Sequence, residues 1–154
     1  MRSRHTSAMQ FEAIQPGLVI RLGPRHVTEQ EIISFAREYD PQPFHVDAEA
    51  ARQSRWRGLI ASGWQTCGFA MRLAVDHVLA GSSSVGSPGI DELRWLHPVR
   101  PGDELTLTIT VLETRVSGSG STGSVRWRWE LCNQSEVKVL SLLATSLFAV
   151  QPGH

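Results

Sequence analysis

A chain of 154 residues, 41% of them hydrophobic, is sized for one domain around one buried core. Fifteen Lys and Arg balance fifteen Asp and Glu, so the chain lacks the concentrated positive charge that a nucleic-acid partner demands. No stretch approaches the roughly 20 apolar residues of a membrane span, and the basic start Met1-Arg2-Ser3-Arg4-His5 lacks a signal peptide's apolar run. A cytoplasmic location is the expectation. Cys67 and Cys132 lie far apart with no CxxC spacing and read as reduced core residues.

Residues 1–10 are polar and patternless and read as a flexible leader to a single domain over 11–154. After the Pro16-Gly17 turn, a short strand is predicted from Leu18 to Leu22. Thr28-Glu29-Gln30-Glu31 has the form of a capping box, in which hydroxyl and carboxylate satisfy the first helical amides reciprocally. Ile32, Ile33, Phe35 and Ala36 continue at helical spacing to about Glu38. Pro41 and Pro43 end that helix and call for an extended segment, after which Asp47 can cap a second helix, Ala48 to Gln53.

From Ser62 to about Ala80 the apolar residues are spread around most of a helix, which predicts deep burial, with Gly81 as the stop. Strands follow: Ile90 to Leu96, then Leu105 to Val111 and Val125 to Leu131 at period two, then Val137 to Val150. The Gly/Ser stretch 117–123 reads as a hairpin loop. A buried helix followed by about four antiparallel strands is an α+β layout, a sheet wrapped around a helix. The Val, Trp and Leu residues on the strands suggest that a second copy supplies part of the cover, so a homodimer is expected.

The segment Tyr39-Asp40-Pro41-Gln42-Pro43-Phe44-His45-Val46-Asp47 sets a carboxylate and an imidazole in a proline-stiffened loop. Such a pair converging on one water can activate it and deliver its proton. The spacing alone leaves the alternative of a helix-end aspartate and an ordinary histidine. The segment resembles the hydratase motif of the MaoC-like dehydratases, the (R)-specific enoyl-CoA hydratase group of the hot-dog superfamily. Gly58-Leu59-Ile60-Ala61-Ser62-Gly63 and Pro98-Val99-Arg100-Pro101-Gly102-Asp103 resemble two further landmarks of that family, in the same order, over about residues 12–149.

The resemblance implies the hot-dog fold, a dimer, and an acyl-CoA or acyl-carrier-protein thioester as substrate. It implies addition of water to a 2-enoyl thioester, with the catalytic Asp at Asp40 and the catalytic His at His45. Gln42 stands where the family usually has Asn, which bears on rate and substrate preference. Amides near Ser62 and Gly63 are candidates to meet the enolate oxygen at the positive end of a helix. The alternatives are an N-cap role for Ser62 and a packing role for Gly63. Trp64 is either a wall of the acyl tunnel or a core residue.

Tyr39 and Phe44 read as packing residues, His77 and His97 as structural, and His5, His26 and His154 as unpartnered. Arg52, Arg55 and Arg57 are cations that a coenzyme A phosphate could meet. With no HExxH, clustered Cys/His set or acidic calcium loop, no metal is implied, and no cofactor is expected. The rivals are a hot-dog acyl-CoA thioesterase and a non-catalytic acyl-thioester-binding module.

Overall fold

The computed structural model describes residues 9–151. Most of the predicted leader, together with His5 and His154, lies outside the described residues. Strand β1 (Val19–His26) leads into helix α1 (Glu29–Tyr39), and two short helices follow, α2 (Pro43–Val46) and α3 (Ala48–Gln53). Helix α4 (Gly63–Ala74) runs on into a π-helical turn, Val75–Leu79. Strands β2 (Ser84–Trp95), β3 (Glu104–Val116), β4 (Thr122–Cys132) and β5 (Lys138–Ala149) complete the chain. The five strands form one antiparallel sheet in the order β1-β3-β4-β5-β2.

Strand alternation decides the core. On β3, Leu105, Leu107, Ile109 and Val111 are buried, and Val125, Trp127, Trp129 and Leu131 answer them on β4. These residues join Phe69, Ala70, Leu73 and Val78 of the helix in one cluster. The intervening Thr106, Thr108, Arg126 and Arg128 line the outer face. Trp127 is fully buried and donates its indole N–H to Ser146 Oγ at 3.1 Å.

The capping box at Thr28 forms as the sequence requires: Glu31 N–H meets Thr28 Oγ1, and Glu31 Oε2 accepts from the Thr28 amide. The segment at Pro43 is not wholly extended, because Pro43 takes the first turn of α2, where its missing N–H costs nothing. Strand β1 outruns the predicted Leu18–Leu22, its pairing with β3 resuming at Arg25 beyond an irregularity. His26 has a partner after all, with Nδ1 2.8 Å from Glu104 Oε1. Neither cysteine is paired, and both are half-buried rather than core. None of the described helices is long and apolar enough to cross a membrane.

Helix α4 is buried along one side only. Gln65, Thr66, Phe69, Ala70, Leu73 and Ala74 are buried, Gln65 donating to Glu31 O of α1, while Trp64 is 61% exposed and Met71 46%. The sheet covers a single stripe of the helix, so apolar residues elsewhere on it stay at the surface. The expected reason for a dimer changes accordingly. The inward-facing residues of β3 and β4, from Leu105 to Val111 and Val125 to Leu131, are already covered within the chain, while Leu112 and Val116 of β3 and Val85, Ile90 and Trp95 of the edge strand β2 are exposed. Trp127→Ala removes the largest fully buried side chain and is expected to cost about 3–5 kcal/mol, read as a lower urea midpoint at unchanged slope.

Candidate active site

Asp40 caps the C-terminus of α1, its amide donating to Ala36 O at 2.8 Å. Pro41 and Pro43 turn the chain sharply there, and α2 brings His45 back toward the carboxylate. His45 Nε2 stands 3.2 Å from Asp40 Oδ2, and the His45 side chain is almost fully buried. On its other edge, His45 Nδ1 is 2.7 Å from Ile60 O. A carbonyl can only accept, so Nδ1 carries a hydrogen, and Nε2 is the nitrogen left to gain or lose a proton.

Ser62 opens α4 without capping it by its side chain, its hydroxyl donating instead to Asp40 Oδ2 at 2.8 Å. Gln42 Nε2 donates to the other oxygen, Oδ1, at 2.7 Å. The two residues therefore hold both oxygens of one carboxylate. Burial works to raise the Asp40 pKa, but the hydrogen bonds from Gln42 and Ser62 and the charge of His45 outweigh it, and the carboxyl lies below the ordinary range. The group stays ionised at neutral pH.

The strand turn far along the chain positions this segment. Ala61 N–H donates to Val99 O at 2.8 Å, while the Asp103 carboxylate binds the Arg100 amide at 2.9 Å and Gln134 Nε2 at 3.1 Å. His45 faces a pocket of about 270 Å³ walled by Phe44, Trp56, Gly63, Trp95 and His97. Phe44 meets the imidazole edge-on at a centroid distance of 4.5 Å. A Cβ on Gly63 would sit 2.5 Å from the Trp95 indole, so packing alone requires glycine there. The same residue presents an amide at the open start of α4, where helical amides have no intrahelical acceptor.

Of the residues singled out in the sequence, Gln42 and Ser62 are hydrogen-bonded to Asp40 and His45 stands within 3.2 Å of the same carboxylate, with Gly63 in the adjoining wall. Trp64 does not join them. It is exposed rather than core and stands edge-on to Trp95 at 5.2 Å. His97 is exposed and walls the pocket, which replaces its reading as structural. Sequence reasoning missed Trp95, which reaches the pocket from the edge strand, and the Ile60 carbonyl, since backbone atoms leave no signal in residue identity. Cys67, one turn beyond Gly63, is no ready nucleophile, because burial raises its pKa against a hydrogen bond with Trp95.

A five-stranded antiparallel sheet packed on one long helix is the hot-dog fold. A profile of the family described as MaoC like domain matches residues 13–128, and the chain belongs to that family. It is 31% identical over 131 residues to an uncharacterized protein of Bacillus subtilis (strain 168), covering 85% of this chain and 92% of that one. A MaoC-like dehydratase from Rhodospirillum rubrum is similar in structure at a TM-score of 0.85, with 37% identity over 95% of this chain and 100% of that one. An R-hydratase from Pseudomonas aeruginosa shares the fold at a TM-score of 0.73 and 21% identity, over 93% of this chain and 90% of that one.

Because its folded pKa is lowered, Asp40 adds stability above the ordinary carboxylate value, and that contribution is lost as pH falls through the lowered one. Gln42→Leu deletes one donor and is expected to raise the Asp40 pKa, followed by carbon-detected NMR titration of the side chain. The variant should be less stable than wild type at neutral pH, and the gap should close in acid.

Proposed function

We propose that this protein is a hydratase–dehydratase of 2-enoyl thioesters, adding water to give the 3-hydroxyacyl thioester and running in reverse. What carries the reading is the convergence of Ser62 Oγ and His45 Nε2 on Asp40 Oδ2, at 2.8 and 3.2 Å, beside the open start of a helix. Membership of the MaoC-like family supports the reaction class. The unit that performs it is a single domain over residues 11–154.

The chemistry follows from proton positions. Asp40, ionised at neutral pH, accepts hydrogen bonds only, and His45 offers Nε2 as the site of proton exchange. A water held between these groups loses a proton to the pair as its oxygen bonds to the β-carbon. The pair then returns a proton to the α-carbon, so that one whole water is added. Charge collects meanwhile on the thioester oxygen. The Gly63 amide and the positive end of α4 meet it there, donors aimed at where the charge develops.

Ser62 and Gln42 position the carboxylate. Trp95 narrows the acyl path beside Gly63, and Trp64 acts by holding Trp95 edge-on. The substrate is an acyl-CoA or acyl-carrier-protein thioester, and no cofactor takes part. The exposed edge strand β2, with Val85, Ile90 and Trp95, is the surface that a second copy covers in a homodimer.

Hydration of crotonyl-CoA, followed by loss of enoyl absorbance, tests the reading. Wild type should turn over, and Asp40→Asn and His45→Gln should each fall by about 10²–10⁴-fold with folding intact. No turnover on crotonyl-CoA and on longer and branched enoyl thioesters would refute it. Release of free thiol in the same assay would point instead to thioester hydrolysis.

A further inference from the structure

A second cavity, of about 360 Å³, lies between α4 and the strands β2, β4 and β5, and the proposed hydration does not use it. Cys67, Met71 and Leu79 wall it from the helical side, and Ile90, Trp129 and Leu142 from the sheet. Among the described residues, its walls include no charged side chain. The cavity adjoins the pocket of His45. Cys67 lies one turn beyond Gly63, about 6 Å along the helix axis, and is hydrogen-bonded with Trp95, a wall of that first pocket.

One wall of this cavity carries a polar atom that the protein leaves unmet. Trp129 is 6% exposed, and its indole N–H is buried with no hydrogen-bond acceptor. The neighbouring Trp127 shows that the fold can satisfy such a group. Its ring stands edge-on to that of Trp129 at 5.9 Å, and its N–H is met by Ser146 Oγ at 3.1 Å. Ser146 also walls the cavity, yet it serves Trp127 alone. A buried donor without an acceptor forfeits its hydration and gains nothing in return, and a ligand that brings an oxygen restores the balance. Phenylalanine would present a ring to the same wall without that cost, so packing alone does not call for the indole.

We propose that this cavity receives the distal part of the acyl group, and that the acyl group carries a neutral acceptor oxygen bound by the Trp129 indole N–H. The proposal rests on the thioester reading above and narrows its substrate to oxo- or alkoxyacyl thioesters. Position supports the acyl chain as the occupant. With the thioester oxygen at the Gly63 amide, a chain running along α4 past Trp95 arrives at Cys67 within about one helical turn. The apolar walls suit its methylene groups. The absence of charge on those walls selects a neutral oxygen, because a carboxylate buried there would have no cation to pair with.

Proton–nitrogen NMR of the full chain with 2-heptanone, a short ketone, tests the acceptor site without any thioester. The assigned Trp129 indole N–H is expected to shift downfield as ketone is added, and by more than that of Trp127, whose acceptor is Ser146. An unmoved Trp129 signal would overturn the site and mean that water or a second copy fills the cavity. Calorimetry then compares octanoyl-CoA, which has no double bond to hydrate, with its 5-, 6- and 7-oxo analogues. An unmet carbonyl would weaken binding about tenfold, so at least one analogue that matches octanoyl-CoA is the expected result. Trp129→Phe should weaken that analogue about tenfold and leave octanoyl-CoA unchanged. Analogues all bound about tenfold more weakly by wild type, or an equal loss of both esters in Trp129→Phe, would overturn the proposal. The wild-type arms decide even where the variant fails to fold. A shifted Trp129 signal with no thioester bound would keep the acceptor site and count against the thioester reading alone.

Discussion

Burial of one stripe of α4 against the inner face of the sheet is the constraint on which the rest of this molecule depends. Phe69, Ala70, Leu73 and Val78 meet side chains from β3, β4 and β5 in one continuous cluster, and this contact fixes the direction of the helix. Fixing the helix also fixes its first residues, Ser62 and Gly63. Those residues are then pinned from the side, because Ala61 is tied to Val99 and Ile60 receives the imidazole of His45. The site is thus a consequence of the core: loosening the helix would release Ser62 from the carboxylate it holds.

The Asp40 group shows how opposing effects are balanced there. Partial burial alone would favour the protonated acid, which neither accepts a proton nor holds an imidazolium. Two neutral donors, one on each oxygen, and the neighbouring imidazole reverse that tendency. The longer Gln42 side chain still reaches Oδ1, so the departure from the usual Asn of the family keeps a donor on that oxygen. Ser62 gives up side-chain capping of α4 to serve the carboxylate. A helix held by its core can tolerate that loss, which in exposed helices runs to about 1 kcal/mol.

Much of the architecture was legible in the chain. The capping box, the period-two strands and the turn at Pro98–Asp103 rest on local rules, and local rules hold wherever neighbouring residues satisfy one another. Asp40 and His45 were legible for the same reason, being five positions apart in a proline-stiffened segment. The errors arose where cover comes from far away. Trp64 and Met71 look like core residues on a helical wheel, yet the sheet does not reach them. His26 looked unpartnered because Glu104, its partner, is contributed by the next strand of the sheet.

The sequence by itself determined the element types, the α+β class and the pair of residues at the centre of the proposed chemistry. Each of these depends on the period of apolar residues or on spacing along a few positions. Only the tertiary structure decided that Ser62 joins Asp40 rather than capping its own helix, and that the Ile60 carbonyl orients His45. It also decided that Trp95 lies across Gly63. These contacts join atoms brought together by sheet register and helix packing, and no pattern within a short window of sequence encodes such a distance.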